Sequence, residues 1–247
     1  MNISLCIPTM DRFDSFLNTY LQSYIEYLKK GIIDEIIICD ENGNDYHKIV
    51  NKYGDYISTH DNFKVYKNEQ VLGVFKNKMK VCSLSKFTYI ALIDSDNFCD
   101  DVYFTNVKKY IEKNETSFAK SVILAPSFAK PNFNYKHFEG VVVTKKNIKN
   151  YLHAHHFFTV LNTGNYIINR NIIENITYDE SVMLKVSACD VLFFNLLAFQ
   201  QLEELELHVV KDLEYEHVVH QGSIYTNTIQ YCEEYRNNFI IPSYSQL

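Results

Sequence analysis

Tryptophan is absent from this 247-residue chain, and glycine and proline are scarce, at seven and four residues. That scarcity excludes collagen-like and Pro-rich arrays, and no Gly/Ser stretch marks a linker between domains. No apolar run approaches the ~20 residues needed to cross a bilayer. The opening stretch Met1-Asn2-Ile3-Ser4-Leu5-Cys6-Ile7-Pro8 lacks the charge and length of a secretory leader, and Pro8 interrupts it. Positive charge is also in short supply. Lys and Arg number 24 against 30 Asp and Glu, a net charge of −6, which argues against nucleic acid as the main partner. The six cysteines (Cys6, Cys39, Cys82, Cys99, Cys189, Cys232) include no C-x-x-C pair, and several sit inside apolar runs. Scattered thiols of that kind suit a reduced protein, so the expected location is cytoplasmic.

What is present is apolar and patterned. Hydrophobic residues make up 47% of the chain, enough for one large core. Ile3 to Ile7 reads as a first strand closed by Pro8-Thr9. Phe16, Leu17, Tyr20, Leu21, Tyr24, Ile25 and Leu28 then recur at helical spacing up to Gly31. Residues 34–40 read as a second, doubly buried strand, 46–53 as a short helix, 63–66 as a third strand, 74–84 as a helix and 89–93 as a fourth strand. Strands alternating with helices imply a parallel sheet with right-handed crossovers, whose ligands sit at the carboxyl ends of the strands. Three polar clusters fall at such ends: Pro8 to Arg12, Asp40 to Asn42, and Asp94 to Asn97. Further on, strands are expected at 122–125, 141–144, 165–169, 207–210 and 215–217, with a strong amphipathic helix from Cys189 to Leu202.

The sharpest chemical signal is Tyr89-Ile90-Ala91-Leu92-Ile93-Asp94-Ser95-Asp96-Asn97. Alternate side chains of a strand share a face, so Asp94 and Asp96 lean the same way where the strand leaves the sheet. Two carboxylates aimed at one spot repel unless a cation sits between them. A divalent ion carrying a diphosphate meets that need, and Mn²⁺ or Mg²⁺ suits hard oxygen ligands. The plainer reading of Asp-Ser-Asp-Asn is a polar turn.

In order along the chain, Ile7-Pro8-Thr9-Met10-Asp11-Arg12, Ile36-Ile37-Ile38-Cys39-Asp40, Gly73 with Lys76-Asn77, Ile93-Asp94-Ser95-Asp96, Gly164-Asn165-Tyr166-Ile167-Ile168-Asn169-Arg170, Cys189-Asp190 and His217-Val218-Val219-His220-Gln221-Gly222-Ser223 resemble a family-2-type glycosyltransferase of the GT-A fold. The resemblance spans roughly residues 3 to 225 and is tighter in its N-terminal half. It implies an α/β fold of the GT-A, Rossmann-like kind, with a mixed, mostly parallel central sheet flanked by helices. It also implies a single domain over 1–225, with 1–100 binding the nucleotide-sugar and 101–225 the acceptor. Residues 226–247, rich in Tyr and Asn, are expected to form a C-terminal arm.

The same resemblance implies transfer of a sugar from a nucleotide-sugar, usually a UDP-sugar, to a hydroxyl of a glycan, lipid-linked or protein acceptor, with a divalent metal. Pro8, Thr9 and Arg12 would border the nucleotide, and Asp40, with Asn42 beside it, would accept from the base. Lys76 would add charge on the donor side, Ser95 would lie near the ribose, and Asp94 and Asp96 would serve the metal. Asp190 would be the general base of an inverting transfer, although Cys189 stands where an acid is common. As plain residues, Asp190 also suits a helix cap, and Lys76 and Lys78 suit a solvated helix face. Of His217 and His220, one is a candidate third metal ligand through a neutral imidazole, with His217 favoured because it ends a strand-like stretch. His153, His155 and His156 read as a solvated loop. A nucleotidyltransferase of similar fold would show a Gly-rich basic loop after the first strand, which is missing here. A non-catalytic sugar-nucleotide-binding module would have little reason to keep the two acids. Oligomeric state is left open.

Overall fold

The computed structural model describes residues 1–247, except for the side chains of residues 182–184, 224–227 and 231. The first hundred residues alternate as the pattern predicts: β1 (Ile3–Thr9), α1 (Asn18–Lys29), β2 (Glu35–Asp40), α2 (Asn44–Thr59), β3 (Phe63–Lys67), α3 (Val74–Ser83) and β4 (Tyr89–Leu92). All four strands run parallel, in the order β3-β2-β1-β4. β2 and β4 are buried along their whole length, as their unbroken apolar runs require when helices cover both faces.

Beyond residue 100 come α4 (Asp101–Asn114), β5 (Ser121–Ala125), β6 (Phe128–Lys130), β7 (Phe133–Asn134), β8 (Val142–Thr144), α5 (Phe157–Leu161), β9 (Tyr166–Asn169), α6 (Arg170–Asn175), α7 (Asp190–Gln201), β10 (Leu205–Val209), β11 (Glu214–Glu216), α8 (Ile224–Tyr235) and α9 (Ile241–Tyr244). They extend the sheet as β4-β9-β5-β10-β8. β9 lies antiparallel between β4 and β5, and β8 antiparallel on the far edge. β11, β6 and β7 form a small second sheet. The result is the mixed, mostly parallel α/β architecture expected from the sequence.

Besides the short β6, β7 and α5, for which no element was expected, three features depart from the pattern. The sequence reading assigned no element to 101–114, yet α4 forms there. The Asp100 carboxylate accepts the Tyr103 amide at 2.8 Å as an N-cap, and Tyr103, Phe104, Val107 and Ile111 pack inward. α7 is not amphipathic, since residues 190–199 are all buried. Its far side is covered by the last residues of the chain. The stretch expected as an arm is mostly helical and folds back, burying Tyr244, whose hydroxyl donates to the Leu192 carbonyl at 2.8 Å.

Candidate active site

Register fixes which groups share an edge. Thr9 pairs with Asp40 across β1 and β2, and Cys6 with Leu92 across β1 and β4. The loops after β1, β2 and β4 therefore leave the sheet together, where Pro8, Thr9, Arg12, Asp94, Ser95 and Asp96 line a cleft of about 950 Å³. That volume is at the upper end of small-molecule sites.

The loop after β1 is held by a residue to which the sequence reading gave no role. Asp45, fully buried at the start of α2, accepts the Thr9 hydroxyl at 2.6 Å and the Arg12 and Phe13 amides at 2.9 and 3.0 Å. Asp11 takes a left-handed conformation (φ 55°) and accepts the side-chain amides of Asn42 and Asn44, both at 2.8 Å. Asn42 is thus engaged with the loop rather than with the cleft.

Asp40, the expected partner of the base, is fully buried and turned into α2, accepting the Tyr46 amide at 2.8 Å and the Asn42 amide at 3.4 Å. The next residue, Glu41, lines the cleft instead. It accepts the amide of Gly73 and the Asn68 side chain at 2.9 Å. Burial pushes the Glu41 carboxyl up, and the Gly73 and Leu72 amides oppose that shift. The alternation of a strand's side chains explains the exchange: two adjacent acids at a strand end must face opposite ways.

Lys76 points out of the cleft and pairs with the exposed Glu180 at 2.8 Å. Lys78, two residues on, is the buried cation of the site. Its Nζ lies 2.9 Å from Asp94 Oδ1 and 2.9 Å from Asp190 Oδ2. Asp190 is the first residue of α7 and lines the cleft, so its carboxylate meets Lys78 rather than capping the helix. Burial raises the Asp190 carboxyl and Lys78 partly offsets this; the Lys78 ammonium is depressed by burial but raised well above its ordinary value by the two acids. Cys189, where an acid would stand in the resemblance, is buried, and burial pushes its thiol to about 12.

Asp94 itself is set by the 164–165 turn. Asn165, at φ 58°, accepts the Asp94 amide at 2.7 Å through its side chain, and its carbonyl accepts the Tyr103 hydroxyl at 2.6 Å. A Cβ on Gly164 would lie 2.8 Å from Asp94 Oδ2, so a side chain there would force the carboxylate to shift.

The far side of the cleft is stitched to this loop. Phe98 and Glu216 exchange backbone hydrogen bonds, and Asn97 accepts the Val218 amide at 2.9 Å. His220 Nε2 stands 3.0 Å from Asp96 Oδ2, with Arg12 Nε 3.9 Å away on the same oxygen. His217, favoured from the sequence, lines the cleft but spends Nδ1 on the Asn132 amide at 2.8 Å, and burial lowers its pKa. His153, His155 and His156 are exposed.

Among the described residues no group of three His, Cys, Asp or Glu side chains is placed to hold an ion unaided. The donors Asp96 and His220 nevertheless fit a divalent ion. A carboxylate suits Mn²⁺ or Mg²⁺ and an imidazole suits transition metals, so the pair favours Mn²⁺, with phosphate oxygens and water to complete the shell. No helix among the described residues is long and apolar enough to cross a membrane.

Known structures share this architecture. Staphylococcus aureus TarS superposes with a TM-score of 0.62 at 16% identity, over 96% of this chain but 40% of TarS. A shorter TarS in complex with UDP gives 0.63 at 17% identity, covering 96% and 66% of the two chains. The same shorter TarS with UDP-GlcNAc gives 0.64 at 17%, covering 92% and 61%. The chain thus spans about two-fifths of the longer TarS, and at such identities the likeness speaks for the fold alone. No curated protein matches the sequence. The family model described as glycosyl transferase family 2 matches residues 4–178, more than half of the chain, and the protein belongs to that family.

Proposed function

We propose that this chain moves a hexosyl group from a UDP-sugar to a hydroxyl of a glycan, lipid-linked or protein acceptor, with inversion at the anomeric carbon. The observation that carries the reading is the meeting of Asp94 and Asp190 on one buried ammonium inside the cleft, each at 2.9 Å from Lys78 Nζ. The two acids come from the donor-side strand end and from the opposite wall. A donor and an acceptor lying between those walls would be presented to each other. UDP and UDP-GlcNAc in the TarS complexes support the choice of donor.

In this reading Pro8, Thr9 and Arg12 border the nucleotide. Glu41, rather than Asp40, faces the base, and Ser95 lies near the ribose. Asp190 accepts the proton of the attacking hydroxyl as the new bond forms, a role that typically contributes 10²–10⁴-fold. Asp96 and His220 would hold Mn²⁺ or Mg²⁺, which as a Lewis acid supplies charge stabilisation to the leaving diphosphate. Asp94, committed to Lys78, is left to face the sugar. The six cysteines are free and buried, which favours a reducing, cytoplasmic setting. Residues 1–100 then form the donor half and 101–225 the acceptor half of one domain, with 226–247 buttressing the latter.

A panel of nucleotide-sugars, with and without Mn²⁺, tests the donor. A UDP-sugar with metal should raise the melting temperature by mass action and release nucleotide slowly to water. If no nucleotide-sugar shifts the melt or is turned over, the donor assignment is lost.

A further inference from the structure

Lys78 is unusual among the charged residues of the cleft. It is 9% exposed, and it reaches the cleft from α3, whose neighbouring Phe75, Met79, Val81 and Cys82 are fixed in the core. Burying an ammonium is unfavourable, and a single carboxylate would neutralise it. Here two carboxylates share it at equal distance, 2.9 Å each. The trio of Lys78, Asp94 and Asp190 therefore carries one negative charge in excess. If Asp190 takes up a proton, Lys78 keeps Asp94 as its partner and has no reason to move. Asp94 is in turn held at its amide by the Asn165 side chain, and the absence of a side chain on Gly164 leaves room for its Oδ2.

We propose that Lys78 is a positioning residue for the transfer: anchored by Asp94, its ammonium aims the Asp190 carboxylate into the cleft. This rests on the reading of Asp190 as the base. The geometry has no counterpart on the sequence neighbour Lys76, whose charge is spent on an exposed glutamate. It also separates the two acids of the Asp94-Ser95-Asp96 turn. One serves the lysine, and the other faces His220. A plain core ion pair would have no need to open onto the cleft, whereas all three members of this trio line it.

The test compares the unaltered chain with Lys78→Met and Lys78→Arg, using the UDP-sugar that the donor panel identifies. Nucleotide release by the unaltered chain scores the reaction itself, and the ratio of variant to unaltered kcat scores Lys78. Lys78→Met should keep the UDP-induced melting shift and a donor KM within about twofold while losing about 100-fold in kcat, the pattern of a group felt in the transition state. Lys78→Arg, which keeps the charge but not the point geometry, should recover about tenfold of that loss. Lys78→Met with kcat within about threefold of the unaltered chain would overturn the proposal. So would a loss confined to KM, which would make Lys78 a donor ligand instead. Should Lys78→Met fail to fold, Lys78→Gln is held to the same two criteria.

Discussion

The two walls of the cleft are built on different principles. The donor-side wall hangs on strand ends, and partners from within the first hundred residues hold much of it: Asp45 gathers the Thr9–Phe13 loop, and Glu41 takes the Gly73 amide. The opposite wall is assembled from afar. Asp190 arrives on α7, His220 on the segment after β11, and Tyr244 supports α7 from the last helix. A wall braced largely within the first hundred residues should survive damage to the other. Donor binding and catalysis should therefore come apart under mutation.

The largest separation is expected for Asp190→Asn. Nucleotide release should fall about 10³-fold, roughly 4 kcal/mol, while the UDP-induced melting shift persists. Undiminished turnover would remove Asp190 as base. The pH dependence gives the same residue a second check. Burial raises its pKa more than Lys78 lowers it, and only the carboxylate accepts a proton. Activity should thus be lost as pH falls through a value above the ordinary ~3.9 of an aspartate. A kcat/KM profile still flat at that ordinary value would contradict this.

Next comes Tyr244→Ala. It empties a fully buried site against α7 and should cost about 3 kcal/mol by denaturant melt, in the range of large-to-small core changes. UDP should bind the folded fraction as before; a parallel loss of UDP affinity would mean the walls are coupled. Gly164→Ala strikes the seam between them, because its Cβ would meet Asp94 Oδ2. An overpacking cost of about 1–3 kcal/mol is expected, with weaker donor binding in a UDP-sugar titration. The smallest effect belongs to Lys76→Ala. Its pair with Glu180 is solvent-exposed on the glutamate side and worth at most about 1 kcal/mol. Donor affinity should change by less than about twofold. A tenfold loss would return Lys76 to the nucleotide.

These contrasts follow what could be read along the chain. The parallel strands were legible because each is an apolar run ended by turn residues, and Asp94 and Asp96 because their spacing fits a strand end. The sequence reading favoured Asp40 and His217 and did not weigh Glu41. Asp40 or Glu41, Lys76 or Lys78, and His217 or His220 are pairs of like residues one to three positions apart. Which member faces the cleft depends on the rotation of a strand or helix against its neighbours. α4 was passed over although Asp100 and the 103/104/107/111 spacing carry its signal. α7 was taken as amphipathic because nothing local tells that a later segment will cover it.

By itself the sequence determined the alternating α/β order and the acid-bearing strand ends, because periodicity and turn chemistry are written in near neighbours; the family showed through the match over residues 4–178. Only the tertiary structure decided that Lys78 stands between Asp94 and Asp190, that His220 meets Asp96, and that the last helix closes over α7. Those meetings join residues far apart in the chain. Their geometry is set by how the whole sheet and its helices pack, and no local pattern encodes it.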